Sequence, residues 1–152
     1  MGHLNKNNLH LVLLQKPKTD FVREGIGNYV QKLKPYAEID LIEQRNPKSL
    51  PRSLEEQLKK LEKRSVMILL DEKGRQFNSI SFAKTWETLI NQRAKEISFI
   101  IGGPSGFSTP PRADISLSLS SFTLNHELVP LILLEQVYRA YTLLRGHPYH
   151  HA

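Results

Sequence analysis

The stretch Ile97-Ser-Phe-Ile-Ile-Gly-Gly-Pro-Ser-Gly-Phe107 places an apolar strand directly before a glycine-rich turn. Only Ser98 interrupts the apolar run, which is typical of a strand buried on both faces of a sheet between helices. Gly102, Gly103 and Gly106 let the backbone turn sharply and let a ligand approach the main chain without meeting a Cβ. Since ligands of open α/β sheets bind at the carboxyl ends of the strands, the stretch predicts a binding site there.

The same glycines also permit a simpler interpretation. Glycine and proline after a strand often form only a tight turn, and the stretch alone leaves this alternative open. Ile101 stands where the G-x-G-x-x-G fingerprint needs its first glycine, and no Lys-Ser or Lys-Thr pair follows for a phosphate loop. A dinucleotide or nucleoside triphosphate site is therefore disfavoured.

The composition limits the class of protein. The chain has 152 residues, 39% hydrophobic and 24% charged, which fits one globular domain. It has no cysteine, which excludes disulfides, thiol catalysis and cysteine-ligated zinc. No apolar run reaches the roughly 18 residues of a membrane span and no signal peptide is recognisable, so we expect a cytoplasmic protein. The net charge of +6 favours a polyanionic partner such as nucleic acid.

Hydrophobic patterns predict a parallel α/β sheet, because four of the five expected strands are followed by a helix. Strands are expected at 9–14, 39–42, 66–70, 97–101 and 115–119, and helices at 20–34, 53–64, 79–94 and 127–144. Asp20 is expected to cap the first helix and Phe21 to begin its apolar stripe. Ser53 and Glu56 form a capping-box pattern at the second helix. The segment 71–74 is predicted to be a turn that ends the third strand.

We expect residues 1–152 to form one domain, with residues 1–8 disordered and residues 145–152 forming a tail. The last helix is too apolar for one sheet to cover, so it is predicted to pack against a second subunit as well. Pro148 is expected to keep the tail from continuing this helix. The basic side chains of the second helix are interpreted as a solvated face; they are Lys59, Lys60, Lys63 and Arg64.

Three segments together resemble the RlmH family, bacterial large-subunit ribosomal RNA methyltransferases of the SPOUT superfamily. They are Phe99-Ile-Ile-Gly-Gly-Pro-Ser-Gly106, Leu117-Ser-Leu-Ser-Ser-Phe-Thr-Leu-Asn-His126, and Glu135-Gln-Val-Tyr-Arg-Ala140 with His147-Pro-Tyr-His150. The resemblance covers nearly the whole chain. It implies methylation by S-adenosylmethionine of N3 of a pseudouridine in a stem-loop of 23S rRNA, on assembled ribosomes. It also implies a homodimer with a C-terminal trefoil knot, which topology rules alone would not predict, and no metal.

The resemblance implies cofactor contacts after three neighbouring strands. The positions are Leu70, Gly102, Gly103, Leu119, Ser120, Ser121, Phe122, Thr123 and Leu124. They agree with the binding edge expected from the glycine turn. Leu70, Phe122 and Leu124 are candidates to sandwich the adenine. The alternative for Phe122 and Leu124 is simple packing in the core.

The resemblance also directs attention to the tail for catalysis. The acceptor is an imide N–H that must lose its proton, so a weak base or a donor that stabilises the resulting anion would help. His150, Tyr149 and Arg139 are the candidates for these roles. The tail could reach the cofactor site of a partner subunit. Alternatively, the tail histidines form a loose end or a weak metal site; they are His147, His150 and His151.

The chain departs from the family pattern at four positions, which are Gln15, Asn125, Pro130 and His151. Many relatives carry a basic residue at the last two, so RNA contacts there are disfavoured. Lys16, Lys18, Arg139 and Arg145 remain candidate phosphate contacts. Two other functions stay open: a non-catalytic ribosome-associated RNA-binding protein, and a SPOUT methyltransferase acting on tRNA.

Overall fold

The computed structural model describes residues 6–44, 52–92, 96–102 and 111–151. The elements are β1 (Asn7–Leu13), α1 (Asp20–Leu33), β2 (Ala37–Glu43), α2 (Arg52–Arg64), β3 (Ser65–Gln76), α3 (Ser79–Ile90), β4 (Glu96–Ile101), β5 (Ile115–Ser118) and α4 (Leu128–Leu144). The strands form one sheet in the order β2-β1-β4-β3-β5, and every pairing is parallel. The predicted parallel α/β fold is confirmed.

The central strand β4 is apolar because both faces of the sheet are covered. Ile97, Phe99 and Ile101 belong to the core layer formed with α1, α3 and α4. Ile100 belongs to the opposite layer, which is formed with α2. Ser98 is fully buried, and its hydroxyl pairs with a buried serine hydroxyl of β3 at 2.7 Å. The one polar residue of the run is therefore satisfied inside the core.

Helix α4 is buried on one side and partly exposed on the other. It contacts both α1 and α3, and its buried residues include Leu133, Leu134, Val137, Ala140 and Tyr141. Apolar residues on the rest of its surface are only half-buried; they include Leu128, Val129, Ile132 and Leu143. Neither α4 nor another helix in the described ranges has the length and apolar character needed to cross a membrane.

Several predictions at the ends of elements are wrong. Asp20 is the first residue of α1, and Thr19 occupies the N-cap position. Phe21 is 63% exposed, and the neighbouring Val22 is buried in its place. The start expected to be disordered includes two residues, 7 and 8, that pair with β2.

The side chain of Ser53, on which the predicted capping box depends, lies outside the described residues. The basic face of α2 is exposed as predicted.

Strand β3 continues past Leu70, where the sequence predicted its end. Leu70 and Arg75 both pair with Leu117 of β5, so residues 71–74 form an excursion out of the ladder and the strand then resumes. A Cβ on Gly74 would lie 2.7 Å from the backbone of β5, so this close approach requires glycine. The prediction that the strand ends at Leu70 is therefore wrong, because β5 supplies hydrogen-bond partners beyond residues 71–74.

Candidate active site

The carboxyl edge of the sheet brings the predicted cofactor residues together. Leu70 lies where β3 leaves its ladder, Gly102 directly follows β4, and Leu119 directly follows β5. Since β3 pairs in parallel with both β4 and β5, these three positions lie side by side. Gly103 falls outside the described residues. The structure therefore supports a common position for Leu70, Gly102 and Leu119 at one edge of the sheet. Their contacts with the cofactor remain a prediction.

The loop after β5 turns apolar surface toward solvent. Its exposed residues are Ser121, Phe122 and Thr123. Phe122 is 81% exposed, so the alternative that it packs in the core is wrong. Leu119 and Leu124 are half-buried. The Ser120 hydroxyl accepts a hydrogen bond from the Phe122 N–H at 2.9 Å, which holds the loop locally. The loop therefore exposes an aromatic ring that does not take part in core packing.

A buried side-chain oxygen lies near the same edge. Gln15 Oε1 is buried and accepts no hydrogen bond from any residue in the described part of the chain. The neighbouring Leu14 N–H donates to the Ile101 carbonyl at 2.9 Å, which places Gln15 beside the end of β4. A buried acceptor without a donor is unfavourable, and a ligand N–H would relieve this. This oxygen therefore fits a cofactor that carries amino groups.

Glu127 connects the end of this loop to the start of α1. Its carboxylate accepts hydrogen bonds from the backbone N–H groups of Lys18 at 2.6 Å and Thr19 at 2.9 Å. The Thr19 hydroxyl also donates to it at 2.9 Å. These bonds, above all the one from the Thr19 backbone, lower the pKa of Glu127. Sequence reasoning missed this contact because the partners are 108 residues apart.

The tail turns back onto α4 at Gly146, which has a φ of +66°. The Gly146 N–H donates to the Leu143 carbonyl and the His147 N–H donates to the Thr142 carbonyl, as in a Schellman motif. Pro148 was expected to have this role, but the helix ends before it. The tail is therefore not a loose end. In the described ranges no group of three or more His, Asp or Glu side chains could hold a metal ion.

The three predicted catalytic side chains meet in one cluster. Arg139 Nη1 lies 3.0 Å from Nδ1 of His150, and the guanidinium lies over the Tyr149 ring at 4.9 Å. Glu135, for which sequence reasoning gave no role, accepts hydrogen bonds from Arg139 Nε at 3.1 Å and the Tyr149 hydroxyl at 3.0 Å. Its spacing of four residues from Arg139 on one helix was the available signal.

The cluster shifts two pKa values in the same direction. The hydrogen bond to Glu135 raises the pKa of Arg139. Burial raises the pKa of Tyr149, and the hydrogen bonds to Tyr29 and Glu135 act in the same sense. Tyr149 therefore keeps its proton at neutral pH, and its hydroxyl can donate a hydrogen bond but cannot serve as a base.

Hydrogen bonds connect this cluster to a cleft of about 270 Å³ between β5, the start of α3 and the middle of α4. The Ser79 hydroxyl donates to Gln136 Oε1 at 2.7 Å, and Gln136 Nε2 donates to Glu135 Oε2 at 2.7 Å. The contacts found for Arg139, Tyr149 and His150 are with α1, α4 and the tail itself. Among described residues, these contacts do not join the cluster to the loop at 119–124 of the same chain.

Known proteins share sequence similarity with this chain over almost its whole length. A family profile described as "Predicted SPOUT methyltransferase" matches residues 8–150. Ribosomal RNA large subunit methyltransferase H of Geotalea daltonii is 38% identical over 151 residues, covering 94% of this chain and 99% of the relative. The proteins of the same name from Halothermothrix orenii and Flavobacterium johnsoniae are each 35% identical. They cover 93% and 95% of this chain, and 98% and 99% of their own lengths.

The chain belongs to the ribosomal RNA large subunit methyltransferase H family. The resemblance inferred from the glycine turn, the loop after β5 and the tail is thereby confirmed. Members of a SPOUT methyltransferase family use S-adenosylmethionine, which is therefore the cofactor of this chain. The described residues fit this group, because the edge offers an exposed aromatic ring at Phe122 and an acceptor without a donor at Gln15.

Proposed function

We propose that this chain transfers the methyl group of S-adenosylmethionine to N3 of a pseudouridine in a stem-loop of 23S rRNA, on assembled ribosomes in the cytoplasm. The observation that carries the proposal is the similarity to ribosomal RNA large subunit methyltransferases, 35% to 38% identical over more than nine-tenths of the chain. The net charge of +6 suits an RNA partner.

The cofactor would lie along the carboxyl edge of the sheet. S-adenosylmethionine supplies a methyl group already activated by its sulfonium, so the protein mainly has to bind and orient the reactants. Gly102 and Gly103 allow close approach to the main chain, and Gln15 offers an acceptor for an amino group. Apolar contact and backbone groups would come from Leu70, Leu119, Ser120, Ser121, Phe122, Thr123 and Leu124.

The acceptor base would meet the tail cluster. Arg139, Tyr149 and His150 lie together on the surface of α4, and a cationic group with two polar donors suits a ring that becomes anionic when it loses its N3 proton. RNA phosphates would be bound by exposed cations nearby. Arg145 is one of these, and its guanidinium lies over the Tyr36 ring at 5.1 Å.

We further propose that residues 1–152 form one SPOUT domain with a C-terminal trefoil knot, and that two chains form a homodimer. The half-buried apolar side of α4 supports a second subunit. The knot rests on the similarity to the SPOUT methyltransferase family. The strand order, with β5 on the far side of β3 from β4, is compatible with it. In such a dimer, the tail of one subunit would complete the cofactor edge of the other.

The test is transfer of labelled methyl from S-adenosylmethionine to ribosomes that lack the modification. Wild type and Gly27→Trp should label the stem-loop pseudouridine, because Gly27 is exposed on α1 and an added Cβ meets nothing within 4 Å. Gly102→Trp should abolish labelling, because an indole there would fill the space beside the cofactor edge.

Other outcomes identify the alternatives. Cofactor binding without ribosome labelling would point to another RNA, and competition with tRNA would test the tRNA alternative. Salt-sensitive RNA binding without cofactor binding or labelling would replace the enzyme with a non-catalytic RNA-binding protein.

A further inference from the structure

The hydrogen bond between Arg139 and His150 determines which ring nitrogen of the histidine carries a proton. Arg139 Nη1 lies 3.0 Å from His150 Nδ1. A guanidinium can only donate hydrogen bonds, so Nδ1 must accept and must have a free lone pair. The single proton of the neutral ring then resides on Nε2. Nε2 of His150, the ring nitrogen that does not face Arg139, is therefore a hydrogen-bond donor.

Glu135 holds the Arg139 guanidinium in the position from which it donates to Nδ1 of His150. Its Oε1 accepts from Arg139 and from the Tyr149 hydroxyl, and its Oε2 accepts from the side chain of Gln136. The Arg139 and Glu135 side chains are only 23% and 20% exposed. Because each carboxylate oxygen is occupied and the pair is largely buried, Arg139 cannot turn away from His150 without leaving Glu135.

We propose that His150 acts in the reaction as a hydrogen-bond donor through Nε2, and not as the base, and that Glu135 is the positioning residue that fixes this role through Arg139. The inference rests on the proposed function. The N3 proton of the acceptor passes to water, and the negative charge that remains is shared by the two carbonyl oxygens beside N3. A donor directed at one of these oxygens stabilises the anion.

Two substitutions separate a donor from a base. His150→Gln places an amide N–H near the position of Nε2 but has no basic nitrogen, whereas His150→Leu has neither. Methyl transfer by the Gln variant should stay within about tenfold of wild type, and the Leu variant should lose about 100-fold, as expected for one missing donor to a developing anion. If the Gln variant is as inactive as the Leu variant, the donor role is overturned.

The tautomer can be read directly in ribosome-free protein by long-range proton–nitrogen correlation spectra of labelled histidine rings. His150 should show only the Nε2–H form, while exposed His151 in the same tail should exchange between both forms. His150→Gln assigns the signal. Glu135→Gln should shift His150 toward the behaviour of His151 and lower kcat at temperatures where the variant is folded. Cofactor affinity should be retained, while loss of the ion pair should lower thermal stability. An unchanged tautomer and kcat in this variant would remove the role of Glu135.

The two measurements distinguish failure of this inference from failure of the proposed function. If wild type transfers no methyl to ribosomes, the proposed reaction is wrong, and the spectrum still decides whether Arg139 fixes the ring. An Nδ1–H form of His150 in wild type overturns the inference, whatever the activity.

Discussion

The two ends of α4 are built in opposite ways. Before its N-terminal end, the loop at 119–124 leaves Phe122 81% exposed. Beyond its C-terminal end, Tyr149 and His150 are fixed by Arg139 and Glu135 through hydrogen bonds and ring contacts. The first surface leaves an apolar ring uncovered, whereas at the second the side chains of Arg139, Tyr149 and Glu135 pair with one another. Substitutions at the first end should therefore change binding, and those at the second should change rate.

The difference follows from the chemistry of the two surfaces. A partly buried charge or phenol without a partner is costly, so the polar cluster must pair within the chain. An exposed apolar side chain is common on protein surfaces and requires no partner. Covering the exposed Phe122 ring with a flat ligand then adds favourable contacts, because the ring has few packing contacts within the chain to give up.

The largest expected effect is loss of catalysis on breaking the tail cluster. Arg139→Met removes the donor to His150 and should lower methyl transfer to ribosomes about 100-fold. The affinity for S-adenosylmethionine, measured by calorimetry, should be retained. Arg112→Met is the matched control, because Arg112 is exposed and pairs only with neighbouring Asp114 among the described residues. An equal fall in affinity and rate would place the cluster in the cofactor site and remove the contrast.

The next largest effect concerns the turn that returns the tail to α4. Gly146 has φ +66°, and Gly146→Ala should destabilise the protein by about 1–2 kcal/mol, because a side chain disfavours this conformation. Gly27→Ala in α1 is the control of opposite sign, since alanine in an exposed helix stabilises by about 0.5–1 kcal/mol. Urea denaturation measures both. Destabilisation of similar size by the two changes would contradict the special role of Gly146.

A smaller effect is expected on cofactor affinity at the opposite end. Phe122→Ala should weaken S-adenosylmethionine binding about fivefold to tenfold, since a stacked ring contributes about 1 kcal/mol. The thermal stability of the Phe122→Ala variant should equal that of wild type, because the ring is exposed. Phe21→Ala is matched to it, since Phe21 is also exposed but lies on α1. If both variants bind the cofactor like wild type, the loop has another role.

The smallest effect concerns Glu127, whose hydrogen bonds lower its pKa. A carboxyl group with a lowered folded-state pKa stabilises the fold above its unfolded-state pKa, and this contribution disappears as the pH falls through the folded-state pKa. Wild type should therefore be more stable than Glu127→Gln at neutral pH, and the difference should shrink at an acidic pH below the ordinary pKa of a glutamate. Urea denaturation at both pH values measures it. A difference that grows in acid would contradict the assigned contacts.

Local patterns sufficed for the elements that bury a regular stripe. The apolar run around Phe99 predicted a central strand, and the helical spacing of Phe82 and Trp86 predicted α3, whose stripe is buried. The alternation of strands and helices predicted the parallel sheet. The same patterns failed for the end of β3, since pairing beyond Leu70 depends on β5, a separate strand over 40 residues further along the chain.

The sequence by itself determined the fold class, the glycine-rich segment after β4 and the residue types at both ends of α4. Hydrophobic periodicity and backbone freedom are local properties, so they can be read from neighbouring positions. Only the tertiary structure decided that Glu127 binds the start of α1, that Gly146 returns the tail, and that Glu135 holds Arg139 against His150. These contacts join groups that local patterns do not pair, and their energies depend on burial that folding alone creates.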